Sequence, residues 1–262
     1  MNIQLKETIE SDRKEKENNA LVEIQSMLSM DKIPYRIESY DISNIMGTDN
    51  VGVEVVFNNG KKAPKDYRRF RIKYVDGQDD YASMTEVVFR RLNRAKEELE
   101  NGLPSPRFLP MPDLILVDGG LTHVHTVESV TEDFSDKIKV AGLVKDNKHR
   151  LRGLMLDDGN EIPVSSLVYS KKLLNDISEE VHRYAIEYHR TSRSRSMLTT
   201  ELEGIAGIGP KRCNELLKDF GSVKAIAAAS IEELSKVPGM NRAAAENVYY
   251  HFNGTQVSDS DN

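Results

Sequence analysis

Apolar residues in this chain fall into short runs separated by polar segments that contain glycine. One run, residues 114–117, has four apolar side chains and ends in Asp118, Gly119 and Gly120. A run without polar alternation predicts a strand buried on both faces, as in the centre of a parallel or mixed sheet. Ligands of open α/β sheets bind at the carboxyl ends of strands, so Asp118 is the first candidate functional residue.

The segments before this strand predict an antiparallel meander followed by a helix. Residues 36–42, 51–57 and 67–74 are strand-like, and the Asn-Asn-Gly sequence at 58–60 is a hairpin signal. Residues 81–100 repeat apolar side chains along one helical face, and Asp79 or Asp80 is suited to cap that helix.

The segments after the central strand alternate between helix and strand. The pattern predicts a helix at 121–130, a strand at 140–144 and a hairpin at 151–164. A last helix is expected to begin at Asp176, with Glu179 as its capping-box partner. The predicted order is therefore three strands, a helix, a strand, a helix and a strand. This is the order of an α/β fold with a ribonuclease H-like mixed sheet flanked by helices.

Composition shifts divide the chain into five predicted segments. Residues 1–30 are charged with a weak helical stripe and predict a leader or linker, and residues 31–190 hold the α/β domain. Residues 191–198 are basic and serine-rich and predict a linker. Residues 199–253 form a small all-α domain, and 254–262 a disordered polar tail.

The small domain contains two copies of one device, an apolar residue, a tight glycine turn and a helix start. Backbone N–H groups at such helix starts bind phosphate oxygens without reading base sequence. The copies predict a tandem helix-hairpin-helix that binds DNA. Its candidate DNA-binding residues are Gly207, Gly209, Lys211, Arg212, Gly239 and Arg242.

Acidic residues in the α/β domain predict a metal site. Asp41 lies on the first strand, Asp118 ends the central strand, and Asp80 begins a helix. Neighbouring strands in a ribonuclease H-like sheet would bring Asp41 and Asp118 together, and converged carboxylates favour a hard divalent cation. Mg²⁺ or Mn²⁺ there would stabilise a phosphodiester in transit and lower the pKa of an attacking water.

Other polar residues are candidates of lower specificity. His182 could be a metal ligand, a general base or a proton donor, and the sequence does not separate these roles. Arg68 and Arg69, and the basic loop at 145–150, could contact phosphate. His123 and His125 are two residues apart and are expected to be surface residues.

Composition limits the class of protein. The 262 residues are 39% hydrophobic and 30% charged, and no apolar run approaches a bilayer span, so we expect no membrane association and a cytoplasmic location. A single cysteine excludes a disulfide framework and a cysteine metal cluster. The net charge of −6 alone argues mildly against a nucleic-acid partner, although a metal nuclease needs acids in its site.

A series of motifs resembles the C-terminal half of UvrC, the nuclease subunit of bacterial nucleotide excision repair. In chain order they are YDISNIMG at 40–47, DYRRF at 66–70, DDYASM at 79–84, LVDGG at 116–120, HRYAI at 182–186 and GIGPKR at 207–212. The resemblance runs from about residue 30 to residue 252.

The resemblance implies a ribonuclease H-like endonuclease domain and a tandem helix-hairpin-helix domain. It implies the incision 5′ to a DNA lesion, with a divalent metal and a catalytic set of Asp41, Asp118 and His182, with Asp80 as a further acid. Asp41, Asp118 and His182 would be its metal-site residues. The implied partners are damaged double-stranded DNA, as a bubble or junction, and the UvrB subunit.

Two differences from the family pattern bear on this expectation. The nuclease module for the 3′ incision and the UvrB-binding segment are not found here, which suggests an expressed fragment or a shortened homologue. Leu121 stands where the family usually has a lysine. Two other functions stay open, a DNA-binding module without catalysis and a ribonuclease H-like nuclease for junctions or RNA–DNA hybrids.

Overall fold

A computed structural model describes residues 3–43, 51–75, 77–102, 105–134 and 137–254, with side chains omitted for 3–14 and 189–201. The chain divides into two compact units, Met1–Glu187 and Tyr188–Asn262. None of the helices in the described ranges is long and apolar enough to cross a bilayer.

The described residues of the first unit form eight strands and the helices that cover them. The strands are β1 (Arg36–Ser43), β2 (Val51–Asn58), β3 (Lys61–Lys62), β4 (Arg68–Arg71), β5 (Leu114–Asp118), β6 (Lys139–Lys145), β7 (Leu151–Met155) and β8 (Glu161–Pro163). The helices are α1 (Ile3–Met27), α2 (Asp80–Asn101), α3 (Leu121–Thr131) and the start of α4 (Lys171–Glu203), with 3-10 turns at Pro64–Asp66 and Val164–Ser166.

The strands form one mixed sheet in the order β3-β2-β1-β5-β6-β7-β8, with β4 also paired to β2. β5 pairs in parallel with β1 on one side and β6 on the other, and the remaining pairs are antiparallel. The predicted meander and central strand are thereby confirmed, as is the ribonuclease H-like mixed sheet. The sheet positions the carboxyl ends of β1, β5 and β6 at one edge.

Helices α2 and α3 bury their apolar faces against one side of this sheet. Their core cluster joins Tyr40 of β1 and Val117 of β5 to Val87 and Val124 of the two helices. All four apolar residues of β5 are fully buried, as the unbroken run predicted. Asp79 caps α2 by accepting a hydrogen bond from the Ala82 N–H at 2.9 Å, which decides between the two predicted caps.

The C-terminal half of α1 packs onto the first unit. Leu21, Ile24 and Leu28 are buried, while the Ile9 side chain lies outside the described part of the chain. The Glu23 carboxylate accepts hydrogen bonds from the backbone N–H groups of residues 168–170 at 3.0, 3.0 and 2.6 Å. Part of the charged leader that the sequence predicted is thus bound to the body of the unit.

The expected start of α4 is wrong, while the domain boundary predicted at 191–198 stays a prediction. The helix begins at Lys171 rather than Asp176, and Asp176 instead pairs with Lys172 one turn earlier inside the helix. Residues 191–198, predicted to be a linker, have helical backbone within α4. The physical reason is that no glycine or proline stands between residues 171 and 203, so nothing ends the helix before Gly204.

The predicted strand at 67–74 is shorter, because β4 ends at Arg71. The buried Glu86 carboxylate accepts hydrogen bonds from the backbone N–H groups of Lys73 and Tyr74, at 2.9 Å each. A side chain of α2 therefore satisfies amides that a longer strand would have paired.

The second unit folds around its own apolar core. After the end of α4 come α5 (Pro210–Phe220), α6 (Val223–Ala228), α7 (Ile231–Ser235) and α8 (Arg242–Asn253). Their core includes Leu202, Ile208, Leu216, Leu234 and Val248. Both predicted helices after the glycine turns are present, which confirms the helical second domain. Of the predicted disordered tail, residues 255–262 lie outside the described residues.

A buried ion cluster links α2 to β1. The Arg91 Nη2 donates to Glu38 Oε1 at 2.5 Å, and the Arg36 Nε donates to the same oxygen at 2.6 Å. The Tyr40 hydroxyl donates to Glu38 Oε2 at 2.7 Å. Burial opposes the charge on Glu38, but Arg91 and Arg36 outweigh it, and the pKa of Glu38 is lowered.

Replacing Arg91 with leucine should destabilise the first unit strongly. The variant Arg91→Leu removes one of the two cations that bind the buried Glu38, and loss of one partner of a buried ion pair typically removes about 3–5 kcal/mol. Urea unfolding followed by circular dichroism measures the effect. Arg94→Leu is the matched control on the same helix, because the Arg94 side chain is 66% exposed and its pair with Glu97 contributes about 1 kcal/mol or less. Equal losses in the two variants would contradict the role given to the buried cluster.

Candidate active site and the glycine hairpins

Asp41 and Asp118 lie near the carboxyl ends of two neighbouring parallel strands. The register pairs Tyr40 of β1 with Val117 of β5, so the next residue on each strand is one of the two aspartates. Asp118 is itself paired with Leu143 of β6. The sheet therefore brings together the two acids that the sequence predicted to converge.

The pKa of Asp41 responds to burial and to the neighbouring charges. Burial raises the pKa of Asp41 to about 7, and the negative charges of Asp118 and Asp80 add to the effect. Lys145, at the end of β6, works in the opposite direction. Three predicted acids thus act on one another at this edge of the sheet, and their mutual repulsion is only partly offset.

Lys145 is a basic side chain that contacts this site. Its Nζ donates a hydrogen bond to Asp118 Oδ2, and both side chains are mostly shielded from solvent. The sequence placed Lys145 in a loop that could contact phosphate, whereas the structure places it at the end of β6 on the central carboxylate. A parallel β5–β6 pair brings it there, which the local sequence does not reveal.

The donor chemistry of the site fits a hard divalent cation. Asp41 and Asp118 offer carboxylate oxygens, the ligands that Mg²⁺ and Mn²⁺ prefer. Burial raises the pKa of Asp41, and the negative charges of Asp118 and Asp80, which a cation would offset, raise it further. No group of three His, Cys, Asp or Glu side chains within the described ranges is arranged closely enough to hold a metal ion.

His123 also belongs to this site, contrary to the expectation that it is a surface residue. Its ring stacks on Tyr81 with 4.5 Å between ring centroids, and it is half-buried. A Cβ built on Gly119 would lie 2.3 Å from His123 Nδ1, so the first glycine after Asp118 makes room for this ring. Burial lowers the pKa of His123, although Asp80 and Asp118 favour its charged form. The signal in the sequence was the position of His123 in the first turn after Gly120, which caps α3.

His125 has the surface position that was expected. It is exposed, and its Nε2 lies 2.7 Å from the Asp157 carbonyl oxygen.

His182 lies on α4 and is exposed. Among the described residues it has no hydrogen bond to Asp41 or Asp118, so the structure does not join it to the acids by direct contact. The helix turn around it is held by Glu180, which accepts hydrogen bonds from Lys62 Nζ at 2.5 Å and from the Tyr67 hydroxyl at 3.2 Å.

The sheet register nevertheless places α4 over the face that carries Asp41. Asp41 pairs with Val53, and Val53 pairs with Arg69, so these three side chains point to the same face. The Arg69 guanidinium lies 4.5 Å from the ring centroid of Tyr184 on α4. His182 is two residues from Tyr184 on the same helix, so the two side chains point to different sides of α4.

Both arginines of β4 already have protein partners. Arg68 donates to the carbonyl oxygens of Lys65, Tyr67 and Arg107 at 3.0, 2.9 and 2.8 Å. Arg69 packs on Tyr184 and is 3.9 Å from Glu187. Their predicted contact with DNA stays a prediction, and it would compete with these interactions.

The two glycine turns of the second unit have the same backbone geometry. Gly207 and Gly239 each have a φ of 82°, a left-handed conformation that favours glycine. Gly209 caps α5, whose first residue is Pro210, and Asn241 caps α8 by accepting from the Ala244 N–H at 2.9 Å. Each turn thus leads directly into a helix start, as the tandem hairpin prediction required.

The three basic residues of the hairpins differ in their surroundings. Lys211 is exposed. The Arg242 Nε donates to Glu246 at 3.0 Å, and the Arg242 side chain is 80% exposed. Arg212 is half-buried and donates to two backbone carbonyl oxygens, Gly239 at 2.7 Å and Gly207 at 2.6 Å.

Comparison with known proteins gives two family matches. The family described as "UvrC RNAse H endonuclease domain" matches residues 25–186, and the family described as "SAM-like Helix-hairpin-helix tandem" matches residues 199–251. The protein named UvrABC system protein C from Alkaliphilus oremlandii is 43% identical over 246 residues, 92% of this chain and 40% of that protein. The one from Clostridium perfringens is 44% identical over 247 residues, again 92% and 40%. The chain therefore spans about two-fifths of the length of these relatives.

Solved structures show weaker similarity. Human ENDOV has a TM-score of 0.34 at 13% identity, over 61% of this chain and 86% of that chain. XPF from Aeropyrum pernix, in complex with DNA, has a TM-score of 0.22 at 18% identity, over 66% and 74%.

The raised pKa of Asp41 should make the stability of the first unit depend on pH. An ordinary aspartate in the unfolded chain titrates near 3.8, whereas Asp41 titrates at about 7 in the folded protein. Between these values the folded state binds the extra proton, so stability is greatest at acidic pH and is lost as the pH rises through 7. Without divalent metal, the titration of Asp41 should lower the free energy of unfolding of the first unit by about 2–3 kcal/mol between pH 5 and pH 8.

Urea unfolding at pH 5 and pH 8 in EDTA tests this dependence. The variant Asp41→Asn cannot titrate and should lose less stability than the wild type over the same interval. The exposed Asp133, at the other end of α3, provides the control variant Asp133→Asn. If Asp41→Asn and wild type lost the same stability, the raised pKa of Asp41 would be disproved.

Proposed function

The chain belongs to the UvrC family, and on that premise we propose that it is a divalent-metal-dependent DNA endonuclease that hydrolyses a phosphodiester bond. The observation that supports this proposal is the placement of Asp41 and Asp118 at the carboxyl ends of neighbouring parallel strands, with Asp80 adding negative charge. A cluster of acids that raises the pKa of one member is an arrangement typical of functional sites. The tandem hairpins supply a second feature suited to DNA, namely helix starts that follow tight glycine turns.

Asp41 and Asp118 are the residues that would hold the cation. When bound, Mg²⁺ or Mn²⁺ would stabilise charge on the phosphodiester and lower the pKa of an attacking water. Lys145 donates a charge-assisted hydrogen bond to Asp118 and places a positive charge beside the acids. Asp80, at the start of α2, adds negative charge that raises the pKa of Asp41 and would attract a cation to this edge.

His182 would act from α4, on the side of the sheet towards which Asp41 points. Its exposed ring is suited to three roles, as a metal ligand, as a base for the attacking water or as a proton donor to the leaving oxygen. His123 would hold α2 and α3 together beside the acids through its packing against Tyr81 and Gly119.

The finer features of the reaction rest on the family relationship. We propose damaged double-stranded DNA as the substrate, in the form of a bubble or junction, and an incision 5′ to the lesion. The UvrB subunit would present this DNA within the complete system. A cytoplasmic location would accord with that role.

Asp118→Asn should abolish nicking while DNA binding is retained. Asparagine keeps the side-chain size but removes the charge that holds Lys145 and a cation, so we expect a loss of activity of at least about 100-fold. A bubble-containing plasmid or labelled duplex in Mg²⁺, analysed on denaturing gels, measures nicking, and the same DNA in EDTA measures binding. Asp133→Asn is the matched control and should cut normally.

Three results would count against the proposed reaction. Full activity of Asp118→Asn would refute the site. Binding without any metal-dependent product from the wild type would favour a DNA-binding module without catalysis. Preferential cutting of an RNA–DNA hybrid or a four-way junction in a substrate panel would favour another ribonuclease H-like specificity.

Mg²⁺ should stabilise the wild type at pH 8 independently of catalysis. A ligand at 100 times its dissociation constant adds about 2.7 kcal/mol to the stability of the folded state. Thermal unfolding with Mg²⁺ and with EDTA measures this gain, which should be absent from Asp41→Asn. The same gain in both proteins would place the cation elsewhere.

A further inference from the structure

The Arg212 side chain connects the two glycine hairpins of the second unit. Arg212 lies in the first turn of α5, immediately after the first hairpin. Its Nη1 donates to the Gly207 carbonyl oxygen at 2.6 Å, within that hairpin. Its Nε donates to the Gly239 carbonyl oxygen at 2.7 Å, in the second hairpin. One guanidinium group therefore binds the turning glycine of each hairpin.

A second side chain connects the hairpins in the reverse direction. Asn247, on the helix that follows the second hairpin, donates from Nδ2 to the Ala206 carbonyl oxygen at 2.8 Å in the first. The two hairpins also approach closely, because a Cβ built on Gly207 would lie 3.9 Å from the Ala244 Cβ. Each hairpin is therefore held by a residue from the helix of the other.

These contacts fix the peptide groups that shape the turns. The Ile208 N–H closes the first turn on Ile205 O at 2.9 Å, and the Met240 N–H closes the second on Val237 O at 3.0 Å. The carbonyl oxygens bound by Arg212 belong to the same two peptide planes, since each plane joins a glycine carbonyl to the next N–H group. Both ends of each plane are thus held by hydrogen bonds, one within the turn and one to Arg212.

We propose that Arg212 is a positioning residue that sets the two hairpins at a fixed spacing, rather than a ligand of DNA phosphate. The guanidinium has a rigid fork of donors and no acceptor, so it can join two carbonyl groups that a lysine ammonium could not join in the same geometry. Phosphate contact is left to the backbone N–H groups at the helix starts and to the exposed Lys211. This inference rests on the proposed binding of DNA by the hairpins.

The salt dependence of DNA binding distinguishes a positioning residue from a phosphate ligand. The slope of log K against log salt concentration falls by about 1 when one cationic phosphate contact is removed. Lys211→Gln should show that smaller slope. Arg212→Lys keeps the positive charge but loses the forked guanidinium group. It should therefore bind a labelled bubble duplex roughly tenfold more weakly, while the slope of log K against log salt concentration stays at the wild-type value.

Two further measurements make the test independent of charge. Asn247→Ala removes the other connection without changing the net charge, and it should also weaken binding without changing the slope. Amide hydrogen exchange of the full chain without DNA should become faster at Ile208 and Met240 in Arg212→Lys, and it should stay unchanged in Lys211→Gln.

The proposal is overturned if Arg212→Lys binds like the wild type while Arg212→Gln loses one unit of slope, because Arg212 would then be a phosphate ligand. It is also overturned if amide exchange at both turns is unchanged in Arg212→Lys. A wild-type chain that shows no salt-dependent DNA binding would refute the proposed function of the hairpins. Faster exchange in Arg212→Lys would in that case still support the connection between them.

Discussion

Parallel pairing of β1 with β5 places the carboxyl ends of two strands side by side, and each carries an aspartate there. The proposed chemistry depends on this pairing, because Asp41 and Asp118 come from distant parts of the chain and meet only through the sheet. The pairing also has an unfavourable consequence, since it holds two carboxylates close together in a partly buried place and raises the pKa of Asp41. A protein selected for stability alone would separate them or replace one by a neutral side chain.

The surrounding structure resists that repulsion. The buried pair of Arg91 with Glu38 attaches α2, the helix that begins at Asp80, to β1, the strand that carries Asp41. Packing of His123 between Tyr81 and Gly119 ties α3 to the same end of α2. Lys145 partly neutralises Asp118. Together these contacts hold the acids in place before any cation binds, which is the preorganisation that electrostatic catalysis needs.

Sequence patterns were sufficient wherever one local signal determined the structure. The unbroken apolar run identified β5 as a central strand, and the acid at its end identified Asp118. The glycine turns identified both hairpins.

Sequence patterns failed where a long-range contact decided the outcome. Lys145 and His123 reach the site only because β6 pairs with β5 and α3 folds back on the sheet. In the same way, Glu23 of α1 binds the backbone at the start of α4, whereas the sequence favoured a later start with a capping box. The helical backbone of the basic segment at 191–198 was not predicted, because composition was given more weight than the absence of glycine and proline.

The charges of Lys145 and Arg212 bear on how an acidic chain can bind DNA. A basic residue next to a candidate site is usually assigned to phosphate, yet Lys145 binds a carboxylate and Arg212 binds two carbonyl oxygens. The net charge of −6 therefore says little about whether the chain binds nucleic acid, because basic side chains are not the only groups that attract phosphate. If backbone N–H groups and a bound cation supply the attraction for phosphate, the protein needs few exposed basic side chains for it. Its basic residues are then available to fix geometry, which is the role that the contacts of Lys145 and Arg212 share.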